Sequence, residues 1–268
     1  MIGDADFRSP IITLHGNEQP DGLWTTRLRS RDFLEVVITY GLVLLALWTP
    51  RPVQIWLSLV ILAWILCAMV TSKQDARTLG FRPAGLRSLW IAGLALISAA
   101  IAIWVAARMH TLHPFLSSTP SGAHFLGYML WAFLQQFLLQ GFFLLRLLRL
   151  LPTKGGAVAV AALLFGFAHI PNPLLIVATL VWGAAACALF LRYRDIYSLG
   201  IAHGIFGICL AITVPSAVHH QMNVGLGYYR YHEQSAPVHR GQSNHIVSTD
   251  AWVMADATRR CLSRQARP

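Results

Sequence analysis

The stretch Trp131-Ala132-Phe133-Leu134-Gln135-Gln136-Phe137-Leu138-Leu139-Gln140-Gly141 decides how the chain is read. It lies inside a long apolar run, where three side-chain amides find little water. A buried amide without a partner costs about 1–3 kcal/mol. Gln136 and Gln140 are four residues apart and stack on one helix face, with Gln135 beside it. Such a stripe needs polar partners from other apolar spans. The chain offers two, His169 and His203.

Outward from this stretch the composition sets the class. Of 268 residues, 56% are hydrophobic and 12% are charged, about half the charge of an ordinary soluble domain. Several continuous apolar runs approach the ~20 residues that cross a bilayer as a helix. Their continuity excludes a β-barrel, whose strands alternate. The expected fold is all-α: a polytopic membrane helical bundle of about seven transmembrane helices.

The spans read as Phe33–Trp48, Val53–Thr71, Ser88–Ala107, a fourth from Ala123 carrying the Gln stripe, Gly156–His169, Leu174–Leu191 and Ile196–Val214. Residues 1–32 form a polar arm, 33–214 the transmembrane domain, and 215–268 a polar tail expected to be largely disordered. Within that tail, residues 224–231 are expected to pack at the membrane surface. The amino terminus lacks a charged-then-apolar pattern, so no cleaved signal peptide is expected. No internal repeat is visible.

The formal net charge of +10 does not point to nucleic acid, because the basic residues flank the apolar spans. That placement indicates topology and contact with anionic lipid. Arg27–Arg31, Lys73–Arg87, Arg146–Lys154 and Arg192 with Arg194 fall on one side if the spans alternate. This puts the amino terminus in the cytoplasm. Glu35, at the start of the first span, reads as an interfacial charge. Arg146 and Arg149 share a face at the end of the fourth span and are expected to reach the interface. Of the four cysteines, Cys67, Cys187 and Cys209 lie in apolar spans, and Cys261 lies in the tail. None forms a C-x-x-C pair, which argues against a disulfide framework or cysteine zinc site.

The chemistry is therefore confined to Gln135, Gln136, Gln140, His169 and His203, since polar residues within spans are functional candidates by default. A turn near Pro152 makes a hairpin of the fourth and fifth spans. Gln136 and His169 lie nearly equally far from that turn, so antiparallel helices bring them to one depth. His203 lies close to the start of its own span and reaches that depth only if its helix starts deeper or tilts. Two imidazoles can hold a divalent metal, but a catalytic zinc takes a third protein ligand. An amide cannot act as a general base. Taken singly, each His is an interhelical hydrogen-bond partner and the Gln stripe is helix–helix glue.

Together these residues resemble the three motifs of the CPBP family. That family comprises type II CAAX-processing prenyl proteases, bacteriocin-processing and immunity proteins, and related intramembrane metalloproteases. Its pattern is Glu-Glu-x-x-x-Arg, Phe-x-x-x-His and His-x-x-x-Asn. The counterparts here are Gln135-Gln136-x-x-x-Gln140, Phe165-Gly-Phe-Ala-His169 and His203-Gly-Ile-Phe-Gly207. The resemblance covers about residues 123–214. It implies a CPBP-like helical core and places Gln135 where the family has its water-activating Glu. Gln136 takes the place of the second Glu, Gln140 of the Arg and Gly207 of the Asn. Phe165, His169 and His203 match.

By the resemblance, Gln135, Gln136, His169 and His203 stand at the catalytic positions and His169 and His203 at the metal positions, with zinc the expected metal. Gln140, Phe165 and Gly207 complete the polar core. The implied activity is metalloendopeptidase cleavage of a peptide or prenylated membrane protein in a bacterial inner membrane. The alternative is a catalytically inactive relative that binds a membrane or peptide partner, as an immunity or maturation helper would. A small carrier or channel lacks the paired broken helices or repeat it would need.

Overall fold

The computed structural model describes residues 22–81, 86–112 and 122–235, and among these there is no strand. The polar arm up to residue 21 and the tail beyond 235 lie outside the described residues. So do residues 82–85 and 113–121.

Helix α1 (Gly22–Leu47) begins before the apolar run and carries Arg29, Arg31, Asp32 and Glu35 in its first half. Helices α2 (Arg51–Ser72) and α3 (Leu86–Arg108) follow. Helix α4 (Gly122–Gln136) continues through a π-helical segment, Phe137–Leu144, into α5 (Leu145–Leu150). Then come α6 (Lys154–Phe167), α7 (Pro173–Tyr193) and α8 (Ile196–Thr213). Two short helices, α9 (Ser216–His219) and α10 (Leu226–Ser235), flank a 3₁₀ turn at His220–Met222.

Five apolar segments are long enough to cross a bilayer: α2, residues 88–108 of α3, residues 125–150 of α4–α5, α7 and α8. Helix α6, with 14 residues, is apolar but shorter. Helix α1 is long, but its first half carries the charges just named. The protein is an integral, multi-pass, all-helical membrane protein. Five of the seven expected spans meet both length and apolarity.

The helix ends explain the boundaries. Thr153 caps α6 by accepting from Gly156 N at 3.1 Å. Asn172 caps α7, with Pro173 pre-set at its first position. Asp195 caps α8 by accepting from Tyr197 N and Ser198 N at 2.9 and 3.3 Å. Asp195 does more than cap. Its second oxygen accepts from Ser88 Oγ at 2.5 Å and Ser198 Oγ at 2.6 Å, tying α3 to the start of α8. Gly80, at φ +86°, lies over the same point, and its carbonyl accepts from Ile196 N at 3.1 Å. A Cβ on Gly80 would lie 2.6 Å from the Phe190 ring. Ile196, Ser198 and Leu199 in the first turn of α8 are therefore buried, while Tyr197 is exposed.

The α4–α5 rod is the axis of the bundle. Leu139 to Leu144 are all buried, together with Leu145, Arg146 and Leu147. A helix buried on every side has neighbours on every side. Helices α1 and α6 pack on its second half, and α8 packs on α4 and α3. The α4–α8 contact is close because α8 presents Gly200 and Gly204 four residues apart. A Cβ at Gly200 would lie 2.6 Å from the Phe133 ring, and one at Gly204 would collide with Met129.

Candidate functional site

Where α4 gives way to the π-helical segment, Gln136 and Gln140 are fully buried. Gln140 Nε2 donates to Gln136 Oε1 at 2.7 Å, and Gln136 Nε2 lies 2.6 Å from His203 Nδ1. The result is a linear amide–amide–imidazole chain from the rod to α8. A π-helical turn, uncommon in itself and often found at functional sites, begins one residue after Gln136.

Amide orientation and imidazole tautomer are one linked choice here. With the amides in this orientation, His203 Nδ1 accepts and Nε2 carries the proton, while Gln140 Oε1 has no partner among the described residues. Turning both amides makes His203 Nδ1 the donor and frees its Nε2 lone pair. It then leaves the Gln140 amino group at the position without a partner.

His169 lies one turn past Phe165 at the end of α6. Its Nδ1 is 2.7 Å from the Phe165 carbonyl oxygen, so Nδ1 donates and Nε2 keeps its lone pair. The Phe165 ring stands edge-on to both imidazoles, with centroids 5.1 Å from His169 and 5.7 Å from His203. Trp182 of α7 closes the far side, 6.2 Å from the His203 ring and 5.1 Å from Phe206. Its buried indole N–H has no partner among the described residues.

Five of the seven candidate residues, Gln136, Gln140, Phe165, His169 and His203, are thus joined by contacts in one region. Gln136 bonds to His203 rather than to His169. Gln135 is half-buried and makes no hydrogen bond to a described residue. Gly207 lies against Tyr128. A Cβ there would fall on the phenol, with Cζ at 2.8 Å, so the ring fills the space a larger side chain would need. Tyr128 precedes Gln136 by eight residues on the same helix face, a spacing visible in the sequence. Nothing in the sequence singles out Trp182.

The metal implied by the motif resemblance can be tested against these donors. His169 and His203 offer two imidazole nitrogens, and the neighbouring side chains are amides and aromatic rings. Among the described residues no three His, Cys, Asp or Glu side chains cluster to hold a metal. The set falls short of the three protein ligands of a catalytic zinc. Nor does the site contain a carboxylate to act as general base.

A second polar site lies below the first, and here two expectations are corrected. Arg146 does not face outward: it is fully buried inside the protein. Its Nε and Nη2 both lie 2.6 Å from Glu35 Oε2. Its Nη1 donates to the Phe142 carbonyl at 3.2 Å, and the guanidinium lies 3.6 Å over the Phe142 ring. Glu35 is not an exposed interfacial charge either: only 6% of it is accessible. Its Oε1 takes Arg31 Nε at 2.7 Å. Arg149, half-exposed, makes a bidentate pair with Asp32 at 2.6 and 2.6 Å. The physical reason is α1, which lays its two carboxylates against α5. The signal in the sequence was the rarity of acids beside an apolar span.

These features define a class: a multi-pass helical membrane protein with a buried Gln/His core drawn from the α4–α5 rod, the end of α6 and α8. The family model described as type II CAAX prenyl endopeptidase Rce1-like matches residues 118–209, which contain that core. The match supports the CPBP-family recognition made from the motifs. No curated protein and no solved structure matches the chain.

Proposed function

We propose that the protein is a CPBP protease-like membrane protein whose core binds a peptide or lipidated segment of a membrane partner without cutting it. One observation carries this reading. Both positions where the family has Glu, the water-activating one at Gln135 and the second at Gln136, are neutral amides, and Gln136 is fully buried and held at 2.6 Å from His203. An amide has no useful pKa and cannot activate water. The replacements form one coherent neutral network rather than a damaged charged one: a guanidinium at residue 140 without carboxylates would be an uncompensated buried charge. The basic flanks support a cytoplasmic amino terminus, and the resemblance supports a bacterial inner membrane.

The test uses the purified full chain in detergent with a fluorogenic prenylated peptide. Wild type is expected to bind the peptide and leave it uncut, and Gln136→Leu to bind it more weakly. Cleavage by wild type that disappears in His203→Ala would sink the binding-only reading.

A second reading has its own observation. His169 Nδ1 is anchored on a carbonyl, which leaves Nε2 with a lone pair on a ring that is only partly buried. A peptidase using His169 as base would cleave the same peptide and lose activity in His169→Ala, with Gln136→Glu altering its rate.

A further inference from the structure

Helices α1 and α2 together line a groove of about 570 Å³, within the range of about 300–1,000 Å³ common to small-molecule sites. The groove is polar at one end and apolar at the other. Ser30, Arg31 and Thr71 line the first end, and Leu34, Ile38 and Trp64 the second. Arg31 Nη2 donates to Thr71 Oγ1 at 2.5 Å, and Trp64 Nε1 to Thr39 Oγ1 at 2.9 Å, fixing the helices at two levels. From Arg31 to Ile38 is seven residues, about 10 Å along a helix.

Charge decides what this shape accepts. The one acid lining the groove is Glu35, and both of its oxygens are engaged, Oε1 by Arg31 and Oε2 by Arg146. Arg31 itself is 45% exposed. Among the described residues, Arg29, Lys73 and Arg77 are exposed at the same end of the helix pair, against one exposed acid, Asp75. The mouth is cationic and the walls are apolar. Leu34 and Ile38 remain 55% and 40% accessible.

We propose that this groove is a binding site for an anionic phospholipid, with the phosphate at Arg31 and an acyl chain along Leu34, Ile38 and Trp64. The site is separate from the Gln/His core and stands whether or not that core cuts peptides. It joins the lipid to the buried ion cluster, because Arg31 touches both.

The experiment measures quenching of Trp64 in the purified full chain by brominated lipids in mixed micelles, with Trp64→Phe subtracted as background. Brominated phosphatidylglycerol is expected to half-saturate at a mole fraction about fivefold below that of brominated phosphatidylcholine. The preference is expected to vanish in Arg31→Gln and to survive in Arg31→Lys. Equal half-saturation by the two lipids, or a preference retained in Arg31→Gln, would overturn the proposal. Displacement of the lipid by an equal concentration of inorganic phosphate would also overturn it, since the chain would then contribute nothing. Should Arg31→Gln fail to fold, Cys67→Phe narrows the apolar half and leaves the charges intact. It is expected to abolish quenching by both lipids at Trp64, and unchanged quenching would again overturn the proposal.

Discussion

Two buried polar clusters lie on one helical rod six residues apart, and they solve the same problem in opposite ways. Around Gln136 and Gln140 every group is neutral, and a chain of hydrogen bonds joins α4 to α8. Around Arg146 the groups are fully charged, and ion pairs join α5 to α1. A neutral network in an apolar interior costs little if one member is lost, because each bond contributes about 1–2 kcal/mol at most. A buried ion pair is different. Its net contribution can be near zero, yet removing one partner strands the other's charge. The neutral cluster is therefore free to change its chemistry, while the charged one is locked to its partners.

The largest effect should come from breaking the charged cluster on one side only. Glu35→Ala leaves Arg146 fully buried beside the Phe142 ring with no carboxylate. It should destabilise the protein by about 3–5 kcal/mol, measured by reversible unfolding in detergent. The double variant Glu35→Leu/Arg146→Met removes both charges and should recover most of that loss. A double variant as unstable as the single one would mean that packing, not charge, holds α1 to α5.

The same contrast explains what the sequence made legible. Gln136, Gln140, His169 and His203 stand out because each is polar inside an apolar run, and helical spacing alone stacks the two amides. Glu35 and Arg146 are separated by 111 residues and sit near span ends, where a charge is expected to face water. No local pattern distinguishes a snorkelling arginine from one closed over by a distant helix. Counting from the Pro152 turn sets Gln136 and His169 at one depth, but it does not tell which imidazole the amide meets, and in the structure that is His203. The contact follows from the packing of α8 against α4, a tertiary arrangement that no local pattern encodes. The helical bundle itself was legible from hydropathy. Of the seven expected spans, five meet both length and apolarity, while α1 carries charges up to its middle and α6 is short.

The next effect tests whether the neutral cluster is as tolerant as its chemistry suggests. Gly207→Asn places a side chain on the Tyr128 phenol. It should cost about 1–3 kcal/mol through overpacking, and Tyr128→Ala in the same chain should relieve it. If Gly207→Asn is neutral alone, Tyr128 moves aside easily and the α4–α8 packing tolerates a larger side chain there. Gln136→Leu comes lower, at about 1–2 kcal/mol. It removes the acceptor of Gln140 and the partner of His203 but strands no charge. The ratio between its cost and that of Glu35→Ala measures the difference between the clusters directly.

The smallest effect should come from the outer edge of the charged cluster. Asp32 and Arg149 pair with bidentate geometry, but the Arg149 side chain is 42% exposed. Water stabilises a half-exposed guanidinium when its partner is removed, so Asp32→Asn should cost no more than about 1 kcal/mol. That cost should shrink further at 1 M salt, where the screening length falls to about 3 Å. The Glu35→Ala cost should be nearly indifferent to salt, because Arg146 is closed off from ions as well as from water. Measuring both variants at low and high salt separates burial from geometry, since the ion-pair distances are 2.6 Å in both cases. If Asp32→Asn proves as costly and as salt-insensitive as Glu35→Ala, the charged cluster acts as one dry unit out to Arg149. The boundary between structural and solvated charge then lies farther along α1 than the exposure of Arg149 indicates.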